Sequence, residues 1–125
     1  MSDNKTKLKD TLSSIKEGMT PRELKIMEYF QSKIGLFDDY NKVYSIPLRE
    51  MYAICRIPEL SKEELKMILQ DIARKTTVDV TYDTCREIFP YYHKFFLTSD
   101  ELRYTYSEDV FSVIREEIQE KYLND

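Results

Sequence analysis

Residues 61–82 read S-K-E-E-L-K-M-I-L-Q-D-I-A-R-K-T-T-V-D-V-T-Y, and they predict a helix that runs straight into a strand. Ser61 with Glu64 three residues on is a capping-box signature, in which each side chain satisfies the other residue's orphan amide. Leu65, Ile68, Leu69 and Ile72 then fall at i, i+3, i+4 and i+7, one apolar stripe at the helical period. At Thr76 the period changes to two. Val78, Val80 and Tyr82 point one way, and Thr77, Asp79 and Thr81 point the other.

Upstream, Pro47 opens a short helix whose apolar face is Leu48, Met51, Tyr52 and Cys55. Residues 56–60, R-I-P-E-L, form a turn, and Pro58 keeps the two helices from fusing. A short helix, a tight turn and a longer amphipathic helix make a helix-turn-helix pattern. Val43-Tyr44-Ser45-Ile46 is strand-like. Before it, Thr20-Pro21-Arg22-Glu23 starts a helix with a second capping box and a proline in the first turn. Leu24, Met27, Phe30 and Ile34 line that helix, with Ile26 and Tyr29 beside them, and it stops near Gly35. Residues 35–42 form a loop in which Asp38-Asp39 suggest a turn. The oxygen ligands that a hard cation needs do not accumulate there. Residues 1–19 are polar with a weak stripe of Leu8, Leu12 and Ile15, which predicts a frayed helix or an arm that orders on a partner.

Downstream, residues 83–87 are a polar connection. Ile88–Leu97, I-F-P-Y-Y-H-K-F-F-L, reads as the partner strand, with Pro90 marking an edge or a bulge. The two strands make a hairpin, or wing. Thr98-Ser99-Asp100-Glu101 predicts a short helical turn through Tyr104. Ser107 caps a last helix, with Phe111, Ile114, Ile118 and Tyr122 along one side. The expected fold is α+β: a winged helix-turn-helix over 20–106, preceded by a flexible or partly helical arm, 1–19, and followed by an acidic C-terminal helix, 107–125.

The 125 residues suit one domain with a self-sufficient core. Ten Tyr and six Phe with no Trp supply aromatic bulk, whereas two isolated glycines cannot build a phosphate-cradling loop. Cys55 and Cys85 have no metal-ligand spacing and suit buried, reduced thiols. No apolar run is long enough to span a membrane, and the first ten residues lack the apolar core of a signal peptide, so a cytoplasmic location is expected. Residues 107–125 hold six acids against Arg115 and Lys121, a net −4 that equals the formal charge of the whole chain, so residues 1–106 are neutral overall. That balance is unlike a protein that coats nucleic acid, though it leaves room for a local basic face.

T-P-R-E-L-K-I-M-E-Y-F-Q-S-K-I (20–34), V-Y-S-I-P-L-R-E-M (43–51), the helix 61–75 and F-F-L-T-S-D-E-L-R-Y (95–104) together resemble the winged-helix domain of plasmid replication initiators, the Rep proteins. The likeness covers about residues 20–106 and rests mainly on core patterning. Full initiators carry two such domains in tandem, one for dimerisation and phosphate contact and one that reads the repeated origin sequence; this chain has room for one. The resemblance implies a relative of either domain, or a small mobile-element regulator of the same fold. The acidic tail departs from the DNA-reading domain.

On the solvent side of helix 61–75, Lys62, Lys66, Gln70 and Arg74 form an i, i+4 row, followed by Lys75. Lys and Arg hold phosphates and Gln pairs with adenine edges, which makes the row a candidate contact with double-stranded DNA. Glu63, Glu64 and Asp71 among them equally suit an ordinary solvated face. Arg86 and Lys94 are the basic candidates of the wing. For a homodimer or protein partner, the candidate surface is Tyr92 and Phe96 on the strand with Phe111, Ile114 and Ile118 on the last helix. His93 is the only histidine, and no triad, metal site, cofactor motif or small-molecule site assembles around it. The expectation is a DNA-binding protein of replication or transcription control, or else an interaction module of the same fold, and not an enzyme.

Overall fold

The computed structural model describes residues 2–123, with side chains from residue 4 onward. In chain order the elements are α1 (Ser2–Glu17), α2 (Pro21–Ser32), β1 (Tyr44–Pro47), α3 (Leu48–Cys55) and α4 (Lys62–Lys75). There follow β2 (Thr77–Thr81), β3 (Arg86–Pro90), β4 (Tyr92–Leu97), β5 (Glu101–Tyr106) and α5 (Glu108–Leu123). The class is α+β: the helices pack around a three-stranded antiparallel sheet, in the order β1-β5-β4, and a separate β2–β3 hairpin.

Capping decides where α2 begins. The Thr20 hydroxyl accepts from the Glu23 amide at 3.1 Å, and the Glu23 carboxylate accepts from the Thr20 amide at 2.8 Å. The box expected at Ser61 does not form. Leu60 takes a left-handed φ of 71° and Ser61 a ψ of 58°, so the chain is already curled before α4 starts. An N-cap hydroxyl reaches the first-turn amides from an extended backbone. Here only the Ser61 carbonyl joins the helix, accepting from Leu65 at 3.0 Å. The stripe Leu65, Ile68, Leu69 and Ile72 is buried as its spacing predicts.

The expected single hairpin is split in two. β2 pairs with β3, and Pro90, opposite Thr77, ends that ladder because it has no N–H to donate. The chain continues past Tyr91 as β4, which joins the other sheet by pairing with β5. The helical turn expected at 98–104 is instead a tight turn followed by β5. The Thr98 amide donates to the Glu101 carbonyl at 2.9 Å, and Leu102, Tyr104 and Tyr106 are buried in alternation.

Of the stretch 1–19, expected as a frayed helix or an arm, Ser2–Glu17 form a helix docked on the core through the stripe Leu8, Leu12 and Ile15. Leu8 and Leu12 of α1 are buried in the main core, with Ile15 packed against it. Lys7 bonds Asp83 at 2.7 Å, and Lys5 pairs with Glu116 of α5. In the centre of the core, the Phe30 ring lies 4.5 Å from that of Tyr104, whose hydroxyl donates to the Phe30 carbonyl at 2.7 Å. Cys55 is buried, which pushes its thiol up, whereas Cys85 is exposed in the β2–β3 loop rather than buried. Among the described residues no helix is long and apolar enough to cross a membrane.

Candidate functional site

The outward side of α4 carries Lys62, Lys66, Gln70 and Arg74, all exposed. Lys62, Lys66 and Gln70 make no ion pair or side-chain hydrogen bond among the described residues. Arg74 donates to Asp71 at 3.2 Å, an exposed pair one turn apart. Lys75, expected in the same group, turns the other way. Its ammonium bonds both carboxylate oxygens of the buried Glu23, at 2.9 and 3.1 Å, and so ties the end of α4 to the start of α2. Helix geometry explains the difference. Lys75 lies three residues beyond Ile72, on the flank of the buried stripe rather than opposite it.

On the hairpin, Arg86 forms a two-pronged pair with Asp79, at 2.7 and 2.5 Å. The guanidinium holds the Asp79 carboxyl below the usual carboxylate range. Both groups are exposed to water, where such a pair contributes little to stability. The β2–β3 hairpin therefore presents a screened cation rather than a bare one.

β4 contains a bulge between Tyr92 and Lys94, and it re-aims the strand. Tyr92 and Phe96 would share a side in a regular strand. With His93 as the extra residue, Tyr92 faces the core opposite Tyr106, while Lys94 and Phe96 face out. Tyr92 is therefore removed from the candidate partner surface. Phe111 and Ile114 are removed as well, because they lie in the core beside Val110 and Val113. Ile118 is half-buried and lines a groove between α2 and α5 with Ile34 and Tyr122. Phe96 alone of the five is substantially exposed, at 47%.

Two features escaped the sequence reading. Arg103 stands opposite Phe96 in the register, with its guanidinium carbon 5.8 Å from the ring centroid. The alternation of Leu102, Tyr104 and Tyr106 around it is the signal that marks a strand. Leu60 projects from the α3–α4 turn with 90% of its surface exposed. Among the described residues no group of three or more His, Cys, Asp or Glu side chains could hold a metal ion. Compared with models of known protein families, with curated proteins and with solved structures, the chain matches none.

Proposed function

We propose that this chain is a winged-helix DNA-binding protein in which α4 enters the major groove and the β2–β3 hairpin acts as the wing. The observation that carries this reading is the row Lys62, Lys66 and Gln70, exposed on one side of α4 and unengaged among the described residues. Two ammonium groups and an amide at helical spacing suit phosphate neutralisation and an adenine edge. Arg74 and Arg86 add guanidinium groups whose partners, Asp71 and Asp79, are exposed. The likeness of residues 20–106 to Rep winged domains supports a role in replication initiation or transcription control of a plasmid, phage or similar element.

The test is fluorescence anisotropy of the protein against a mixed-sequence duplex at about 50 and 200 mM salt. Binding should fall steeply with salt. The variant carrying Lys62→Ala and Lys66→Ala should lower the slope of log affinity against log salt by about 0.9 for each lysine removed. An unchanged slope in that variant would take α4 out of the account.

A second reading, a protein-interaction module of the same fold, is favoured by two apolar residues on α4 and the turn before it. Leu60 holds a left-handed backbone and is nearly fully exposed, and Met67, two turns on, is 63% exposed. A leucine in that conformation costs roughly 1–2 kcal/mol. If no duplex binding is seen at low salt, this reading stands in its place. Leu60→Ser with Met67→Ser should then abolish any self-association seen by sedimentation.

A further inference from the structure

The outer face of the β1–β5–β4 sheet carries a second constellation, independent of α4. Phe96 stands opposite Arg103 and Lys94 opposite Thr105, and cross-strand partners share a face. Their neighbours Leu97, Leu102 and Tyr104 take the core side, so these four side chains belong to the outer face. Lys94 Nζ lies 5.6 Å and the Arg103 guanidinium carbon 5.8 Å from the Phe96 ring centroid, so both cations are within cation–π range of one ring. With Val43 they line a hollow of about 270 Å³. Thr105 lines the same hollow, and its hydroxyl is buried with no hydrogen-bond partner among the described residues. Arg103 donates its Nε to Glu101 at 2.7 Å, which fixes one edge of the guanidinium and leaves its terminal N–H groups for another acceptor.

Each of these observations asks for something different. The half-exposed ring offers an aromatic surface beside both cations. The two cations offer charge to an anion. One ligand chemistry meets both: a flat heterocycle joined to a phosphate. We propose that this hollow binds a nucleotide unit, the base stacked on Phe96 and the phosphate held by Lys94 and Arg103. Base–aromatic stacking tolerates any sequence, so the site suits an unpaired strand, whose bases are free to leave their own stack.

The test uses the full chain and a fluorescein-labelled single strand of about ten thymidines at about 50 mM salt, with a duplex in parallel. The strand should bind, and Phe96→Ala should weaken it at least about fivefold, the lower end of one stacked base. Phe96→Trp should retain binding, and Arg103→Gln should lose it in part. Duplex affinity should be unchanged in Phe96→Ala, which separates this site from α4. Competition by thymidine monophosphate would identify the free nucleotide as a ligand of the hollow; its absence, with strand binding kept, would assign the hollow to strands. Failure of the wild type to bind strand or nucleotide would overturn the proposal. So would equal strand affinity in Phe96→Ala and wild type, or a loss seen only in Lys66→Ala.

Discussion

Lys75 and Glu23 are separated by 52 positions in the chain, yet the Lys75 ammonium bonds both oxygens of the Glu23 carboxylate, at 2.9 and 3.1 Å. Glu23 is only 5% exposed, and one of the same oxygens closes the capping box at Thr20. Removing the lysine leaves a buried carboxylate short of one partner. Lys75→Ala should therefore destabilise the fold by about 1–2 kcal/mol, discounted because nearly a third of the Lys75 side chain stays in water. Lys66→Ala, on the open side of the same helix, should stay within about 0.5 kcal/mol. Urea unfolding of the two variants checks the contrast. Equal midpoints would mean that Lys75 does not hold α4 to α2.

The same carboxylate sets a pH dependence. Burial pushes the Glu23 carboxyl up, but the Thr20 amide, Lys75 and the Thr20 hydroxyl together bring it below its ordinary 4.5. The folded chain then binds this proton more weakly than the unfolded chain does. Its contribution to stability is complete above about pH 4.5 and is lost as the pH falls through the lower folded value. Asp79, Asp83 and Glu116 are lowered by Arg86, Lys7 and Lys5 and slope the same way. Comparing wild type with Glu23→Gln isolates the Glu23 share. The wild type should lose more of its urea midpoint between about pH 5 and pH 3 than the variant loses. Parallel curves would dismiss Glu23 as a contributor.

Asp38 organises the loop between α2 and β1. Its carboxylate accepts from the Gly35 amide at 2.7 Å, from the Tyr44 hydroxyl at 2.9 Å and from Lys42 at 3.2 Å. Its carbonyl accepts from Arg115 of α5 at 3.0 Å, and Gln119 donates to the Leu36 carbonyl at the same distance. The loop is thereby clamped between β1 and α5. Asp38→Ala should cost about 1–3 kcal/mol, since the Gly35 amide and the Tyr44 hydroxyl lose their acceptor. Asp39→Ala should change little, because Asp39 is exposed. A Tm for Asp38→Ala equal to that of Asp39→Ala would contradict this clamp.

What could be read in the sequence was what local periodicity encodes. The stripe of α4 and the alternation of β2 each follow from burying one face, and both are written in adjacent residues. The row Lys62, Lys66 and Gln70 follows from the same wheel. β5 was hidden because Thr98, Ser99 and Asp100 serve a tight turn as well as a helix start. Its partner β1 is also far off in the chain, so the pairing left no local mark. The bulge at His93 moves Tyr92 to the opposite face, and a one-residue shift of this kind is invisible to an alternating pattern. The partners of Lys75 and Arg103 exist only through space. Charge alone therefore overcounted the cations available to a ligand on α4 and overlooked one on the sheet.

The burial of Phe111 changes what a substitution there means. A surface role predicts that replacing it dissociates an oligomer and leaves the monomer folded. Its position, 1% exposed with its ring 6.2 Å from that of Tyr106, predicts instead a loss of fold. Phe111→Ala should cost about 3–5 kcal/mol, the usual range for emptying a buried phenylalanine site. Phe96→Ala, on the outer sheet face, should melt within a few degrees of wild type. Thermal unfolding followed by circular dichroism, together with sedimentation of both variants, separates the two cases. A folded, stable Phe111→Ala protein with a reduced mass would return Phe111 to an interface; a large drop in Tm at unchanged mass would keep it in the core that seats α5 against the sheet.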